Sequence, residues 1–180
     1  MTKTIHKMFF AWDFDKEESW LNEMSAKGLH LQSVGFCTYT FNEGIPGDYV
    51  YRLEMLDNLA SHAESSQYIR FIEDTGAEHI GSLFRWVYFR KKTNGGGFDI
   101  YSDLASRIMH LKRIVALLGI LSCVNILNGI NMLRVWRINN LISPLYLSII
   151  CLACGLLLGY GFLKIYRKKQ MLEKEKALRE

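Results

Sequence analysis

Two stretches of this chain, IVALLGILSCVNILNGINML (residues 114–133) and LYLSIICLACGLLLGYGFL (145–163), hold no Asp, Glu, Lys or Arg. Each is about 20 residues, the length a helix needs to cross a hydrocarbon core of roughly 30 Å. A helix in a soluble core rarely runs so long without a polar face. The chain is therefore expected to meet a lipid bilayer and cross it twice. What precedes residue 107 reads as an ordinary mixed domain.

Basic residues set the expected orientation. Arg107, Lys112 and Arg113 precede the first span, and Lys164, Arg167, Lys168 and Lys169 follow the second. The short external loop expected at 134–144 holds only Arg134 and Arg137. Loops rich in Lys and Arg stay cytoplasmic, which puts both termini in the cytoplasm of a two-pass cell-membrane protein. Met1–Lys7 is polar and no apolar h-region follows, so no signal peptide is expected. The net charge of +4 reads as juxtamembrane clusters facing anionic lipid. It does not form the large basic surface that nucleic acid requires.

The four cysteines suit a reducing compartment. Cys37 falls in an expected strand and the others in the spans. CLAC (Cys151, Cys154) has redox or metal spacing, but it lies in an apolar helix with no His or second pair nearby. Packing residues are the better reading, and neither a metal nor a cofactor is implied.

The first 92 residues alternate. KTIHKMFFAW (3–12) is β-prone, 15–27 is helical, 29–41 reads as a strand, and 42–47 with Gly-Ile-Pro-Gly is a turn. DYVYRLEML (48–56) alternates with period two. Residues 59–75 are helical with Tyr68, Ile69 and Ile72 on one stripe, stopped by Gly76, and 77–92 closes as a strand. No internal repeat is evident. The order β-α-β-β-α-β predicts a ferredoxin-like α+β domain, one four-stranded antiparallel sheet with both helices on one face. A glycine-rich link (93–103) follows, flexible by composition. Ser102 or Asp103 can cap a juxtamembrane helix, 104–113. Ser143-Pro144 is a cap-and-Pro start for the second span, and 164–180 is a charged tail of helical spacing.

The most patterned stretch is DFDKEESWLNEMSAKGLHL (13–31). Asp15 has N-cap chemistry, and Glu18 three residues on resembles a capping box. Glu17 suits the positive end of the helix dipole. Trp20, Leu21 and Met24 form the buried stripe, and Gly28 stops the helix with Leu29 folding back on Met24. An acid/base or metal site would need carboxylates converging from different elements. His6, His30, Glu43, Asp48 and Glu54 stand at no telling spacing, so helix initiation is the favoured reading.

This stretch, with YTF (39–41), YVYRL (49–53), FRWVYFRK (84–91) and the paired spans, resembles the bacterial family called domain of unknown function 2812. The resemblance runs from residue 5 to about 163, and EExWLNxMxxKGxxL is its most specific part. Where the family commonly has Trp after the helix-stopping Gly, this chain has Leu29. The resemblance implies a small membrane protein, often encoded beside a PadR-type transcriptional regulator, and therefore such a regulator as partner. It implies no activity and carries over no catalytic residue.

Two surfaces remain. On the sheet face turned away from Tyr49, Tyr51 and Leu53, the residues Lys7, Arg52, Glu54 and Arg85 could gather as an interaction surface. No RNP1-type aromatic block marks it for RNA. In the first span Asn125, Asn128 and Asn131 recur every three residues, and the second carries GLLLG (Gly155, Gly159). Such residues pack helices against each other within a hairpin or a homo-oligomer. No nucleophile motif, phosphate-cradling loop or HExxH is present, so an enzyme is not expected. The expected role is a regulatory module holding a cytoplasmic partner at the membrane. The alternative is an oligomeric accessory or transport-related subunit.

Overall fold

The computed structural model describes residues 2–93, 98–100 and 104–179. The chain divides into an N-terminal unit, 1–106, and a helical unit, 107–180. Most of the glycine link and its Ser102/Asp103 cap lie outside the described residues.

The N-terminal unit contains β1 (Thr2–His6), a 3-10 turn (Ala11–Asp13), α1 (Phe14–Ala26), β2 (Leu29–Gly35), β3 (Thr38–Glu43), β4 (Tyr49–Met55), α2 (Ala63–Asp74), β5 (Glu78–Leu83) and β6 (Trp86–Lys92). These are six strands in two three-stranded antiparallel sheets, ordered β1-β3-β2 and β4-β6-β5. The single four-stranded ferredoxin-like sheet is therefore corrected. Both long expected strands, 29–41 and 77–92, are tight hairpins. Their turns are Phe36-Cys37 and Phe84-Arg85, with φ of +52° at Cys37 and +55° at Phe84. Neither has the Asn-Gly or Gly-rich chemistry that announces a two-residue turn. Cys37 is thus a turn residue and not a strand residue.

The two halves are one βαββ module used twice, offset by 48 residues. The helices end at Ala26 and Asp74, and both stop at a left-handed glycine, Gly28 (φ +75°) and Gly76 (φ +86°). In the first hairpin Leu29 pairs with Glu43, the register slips after Leu31, and Gly35 pairs with Thr38. In the second, Glu78 pairs with Arg90 after Ala77, the register slips after His79, and Leu83 pairs with Trp86. The bulge and the turn coincide under the offset. Along 27–43 only Gly28, Phe36 and Phe41 match their counterparts Gly76, Phe84 and Phe89, so the repeat is hidden from composition.

Each helix packs on its own sheet. Trp20 and Leu21 of α1 meet Leu31, Tyr39 and Phe41, while Ile69 and Ile72 of α2 meet Val87 and Phe89. The first cluster also takes Tyr51, Leu53 and Tyr88 from the second sheet. Since Tyr88 alternates with Val87 and Phe89 along β6, α1 and α2 lie on opposite faces of that sheet. The modules meet at β2 and β5. Arg90 donates to the Leu31 carbonyl at 3.1 Å, and a Cβ on Gly81 would come within 3.2 Å of Val34.

The edge of β4 is covered by side chains. Glu18, Asn22 and Ser25 lie on one stripe of α1. Glu18 accepts from the Leu53 N–H at 3.0 Å, and Asn22 both accepts from and donates to Tyr51 backbone. Ser25 donates to the Tyr49 carbonyl at 2.6 Å. An exposed edge strand invites pairing with another chain, and here a helix takes the place of the missing neighbour. Asp15 is not the N-cap: α1 already begins at Phe14, and Asp13 at its cap position makes no capping bond. The reason is the 3-10 turn Ala11–Asp13, which feeds the chain into the helix two residues early.

In the helical unit, α3 (Leu104–Asn139) and α4 (Ile142–Arg179) are joined by Asn140-Leu141, with Asn140 at φ +52°. Both are long and apolar enough to cross a membrane. At 1.5 Å per residue each extends about 55 Å, well beyond a hydrocarbon core. The juxtamembrane segment and the charged tail are continuous with the spans, and Ser143 and Pro144 lie inside the first turn of α4.

Candidate functional site

Lys7, Arg52, Glu54 and Arg85 are held apart by separate partners. The Lys7 ammonium lies over the rings of Phe9 and Trp20, at 4.9 and 4.6 Å from their centroids. Arg52 pairs with Glu18 at 3.2 Å. Glu54 is buried and accepts from the Tyr68 hydroxyl of α2 at 2.7 Å. Arg85 donates to the Leu56 carbonyl at 2.8 Å. The face of β4 carrying Glu54 is covered because α2 packs there, so it is not an open sheet face.

The carboxylates of α1 reach into the tertiary structure. Glu17 is 8% exposed, and its Oε1 accepts from the Tyr39 hydroxyl at 2.6 Å and the Tyr88 hydroxyl at 2.7 Å. Tyr39 belongs to the first module and Tyr88 to the second, so one oxygen ties both together. Burial pushes the Glu17 carboxyl above the ordinary glutamate range, against the opposing pull of the two hydroxyls. Burial raises Glu18 as well, opposed by the Leu53 N–H and Arg52. Both tyrosines are pushed up, by burial first and then by Glu17.

Glu17 lines a cavity of about 220 Å³. The 7–14 segment contributes Lys7, Phe9, Phe10, Ala11 and Phe14 to its wall. The first hairpin contributes Phe36, Cys37 and Tyr39, and the second Leu83, Phe84, Trp86 and Tyr88. The two turn phenylalanines are equivalent under the 48-residue offset and stand 76% and 74% exposed. Both rings thus stand open to solvent at the cavity wall. Phe14 packs on Trp86 at 5.6 Å, and Phe10 stacks on Trp12. The sequence reading missed this site. The available signal was the spacing G-x7-F-x4-F, which occurs at Gly28-Phe36-Phe41 and again at Gly76-Phe84-Phe89. Among the described residues no three His, Cys, Asp or Glu side chains gather as a metal site.

In the helical unit Gly155 and Gly159 lie on the seam between α3 and α4. A Cβ on Gly155 would come within 2.7 Å of Ile126, and one on Gly159 within 3.3 Å of Ser122 Oγ. Ser122 donates to the Gly155 carbonyl and Ser148 to the Gly129 carbonyl, both at 2.8 Å. Asn125 is half-buried and donates to Leu121 in its own helix, while Asn128 and Asn131 are exposed off the seam.

The family model described as a protein of unknown function (DUF2812) matches residues 13–123. That match spans α1, every element after it through β6, and the first half of α3, and leaves out β1. No curated protein and no solved structure matches the chain.

Proposed function

This chain belongs to the DUF2812 family, whose description assigns no activity, and from that premise we propose that it is a membrane-anchored, ligand-responsive regulatory module. The N-terminal unit binds a small amphipathic molecule in the Glu17 cavity. Occupancy alters its hold on a cytoplasmic partner, and the helical hairpin keeps the assembly at the bilayer. The observation that carries this reading is the cavity itself. It is concave and mostly aromatic with a few convergent polar groups, the usual make-up of a small-molecule site. Its wall is drawn from both modules, so a bound molecule would brace them together. Both termini face the cytoplasm in this reading, on the basic residues flanking the spans. A PadR-type regulator is the proposed partner, on the resemblance noted above.

The test is a ligand screen on the full chain in detergent, read by thermal shift and by intrinsic tryptophan fluorescence. Ligands that stabilise the wild type and lose effect in Trp86→Ala support a cavity site. If no amphipathic compound shifts either readout, the proposal is wrong. Co-purification from membranes with the regulator, with and without a hit compound, tests the partner.

A second reading, an oligomeric accessory or transport subunit, is favoured by one observation. Asn128 and Asn131 are exposed on an apolar helix, and polar side chains in lipid seek partners across a helix interface. Asn128→Leu with Asn131→Leu would shift an oligomer to monomer in light scattering. A wild type already monomeric in detergent and in nanodiscs argues against it.

A further inference from the structure

We infer that the Glu17 cavity takes a lipophilic organic cation, with Glu17 as its counter-charge. The inference rests on the reading of the cavity as a ligand site and deepens it.

Charge on the wall is the first argument. Glu17 is the one carboxylate among the lining residues, and Lys7 the one ammonium. These two do not neutralise each other. Lys7 turns its charge onto the faces of Phe9 and Trp20, and Glu17 turns Oε1 to the two tyrosine hydroxyls. A buried carboxylate with neutral donors and no cation is disfavoured in its ionised form. In its ionised form Glu17 thus has only neutral donors around it, and an anion entering the cavity would meet that carboxylate as well as ring faces.

Shape and polarisation give the second. Phe9, Phe14, Phe36, Phe84 and Trp86 line the wall. Aromatic faces carry negative quadrupole potential and attract cations, most strongly where water is excluded. Lys7 shows the wall already holding an ammonium by this means. A quaternary or tertiary amine with an aromatic or aliphatic body would place charge against Glu17 and apolar surface against the rings.

The proton balance follows. Burial outweighs the two tyrosine hydrogen bonds and raises the Glu17 carboxyl above its ordinary range, so it holds its proton to higher pH than a free glutamate does. On entry the cation replaces the proton, which leaves to solvent, and the carboxylate remains ion-paired. Of the other titratable groups facing the cavity, Tyr39 and Tyr88 are pushed up and stay protonated. The Lys7 ammonium lies over the Phe9 and Trp20 rings, and Cys37 lies at the turn. Cation affinity must then rise with pH, since deprotonation of Glu17 is part of binding.

The experiment uses the full chain in detergent and a matched pair of probes, a phenylalkyl trimethylammonium ion and its neutral tert-butyl isostere, titrated by calorimetry from acid to mildly alkaline pH. The expected result is cation binding at least about tenfold tighter than the isostere, equal to ~1.4 kcal/mol. Affinity for the cation should rise with pH, and proton release should appear as a buffer-dependent enthalpy. Glu17→Gln, which keeps an acceptor for both tyrosines, should bind both probes equally and without pH dependence. Equal binding of the two probes to the wild type would overturn the cation inference and leave the cavity reading standing. Binding of neither probe, while a neutral compound from the screen binds, would overturn it too; no binding by any compound removes the cavity reading first. A cation preference that survives in Glu17→Gln would overturn the role of Glu17. The pH series on the unmodified chain needs no variant, so a folding defect in the glutamine form does not stop the test.

Discussion

Asn22 holds the main chain of Tyr51 from both sides: its Oδ1 accepts from the Tyr51 N–H at 2.8 Å and its Nδ2 donates to the Tyr51 carbonyl at 3.2 Å. This is the pattern a neighbouring strand would provide, delivered by one side chain of α1. Asn22→Leu keeps the size and leaves both backbone groups without that partner. The expected loss is about 1–3 kcal/mol, from the Tyr51 N–H left unsatisfied, since the Tyr51 carbonyl still accepts from Arg52 at 3.0 Å. Asn22→Asp keeps the acceptor, loses the donor and should fall between. Urea denaturation checks the order; a leucine variant within about 0.5 kcal/mol of wild type would mean that water satisfies this edge unaided.

The two helix-stopping glycines should respond unequally to alanine. Gly28 and Gly76 both have positive φ, which costs an L-residue about 1–2 kcal/mol. A Cβ on Gly28 would also come within 2.7 Å of the Gly44 carbonyl oxygen, whereas on Gly76 its nearest neighbour is Lys91 Cε at 3.8 Å. Gly76→Ala should cost the backbone strain alone, and Gly28→Ala distinctly more. Equal shifts in melting temperature would contradict the close approach at Gly44.

Stability should fall with rising pH on account of Glu17. Its folded-state pKa is raised above the ordinary 4.5, so the native state holds the proton more tightly than the unfolded chain does. The contribution is full below the unfolded value and is lost as pH climbs through the folded one. Glu17→Gln removes this dependence, so its stability relative to wild type should improve across that window. Glu18 is also raised and contributes to both proteins alike. Glu17→Ala, in contrast, orphans the Tyr39 and Tyr88 hydroxyls and should cost about 1–3 kcal/mol at low pH, the difference from wild type narrowing as pH climbs through the same window. Parallel pH–stability curves for wild type and Glu17→Gln would refute the raised carboxyl.

Phe84 links strain to binding. A non-glycine residue at φ +55° is held there at a cost of about 1 kcal/mol. Phe84→Gly should leave stability unchanged or improve it, while weakening ligand binding at the cavity mouth. Such opposed changes are the usual mark of a functional residue kept against stability. A glycine variant that binds as tightly as wild type would show that the ring serves neither purpose.

Within the helical unit, bulk on the seam should pry the hairpin apart. A Cβ on Gly129 would lie 2.7 Å from Leu152, and one on Gly155 2.7 Å from Ile126, but on Gly119 it meets only the Phe162 ring at 3.3 Å. Gly129→Ile or Gly155→Ile should lower thermal stability in detergent by about 1–3 kcal/mol, and Gly119→Ala by less. Disulfide trapping between cysteines placed across the seam measures the separation directly.

Local signals in the sequence carry much of this fold. The stops at Gly28 and Gly76 are single-residue backbone requirements, and each apolar run announces its own length. The apolar alternation of Tyr49, Tyr51 and Leu53 suggests the side of β4 that meets both helices, but only α1 packs there, and α2 covers the opposite face with Glu54. What stayed hidden depends on partners distant in the chain. Phe36-Cys37 and Phe84-Arg85 turn the chain without turn residues, so two hairpins read as two strands and the sheet count came out wrong. Glu17 and Glu18 have helix-start chemistry in their own neighbourhood, and nothing local says that one meets Tyr39 and Tyr88 while the other meets Leu53. The cavity needs both hairpins side by side, and only the fold brings them there.

The 48-residue duplication has a further consequence for stoichiometry. Two identical modules set edge to edge would carry every feature twice. Here the position equivalent to Glu17 is Ser65, also buried, and the position equivalent to Tyr88 is Thr40. The two modules share register and hairpin position but differ in chemistry, and in which turn residue is left-handed, Cys37 in one and Phe84 in the other. The arrangement of a dimer thus holds a single carboxyl in a single cleft, and each chain should take up one ligand molecule and not two.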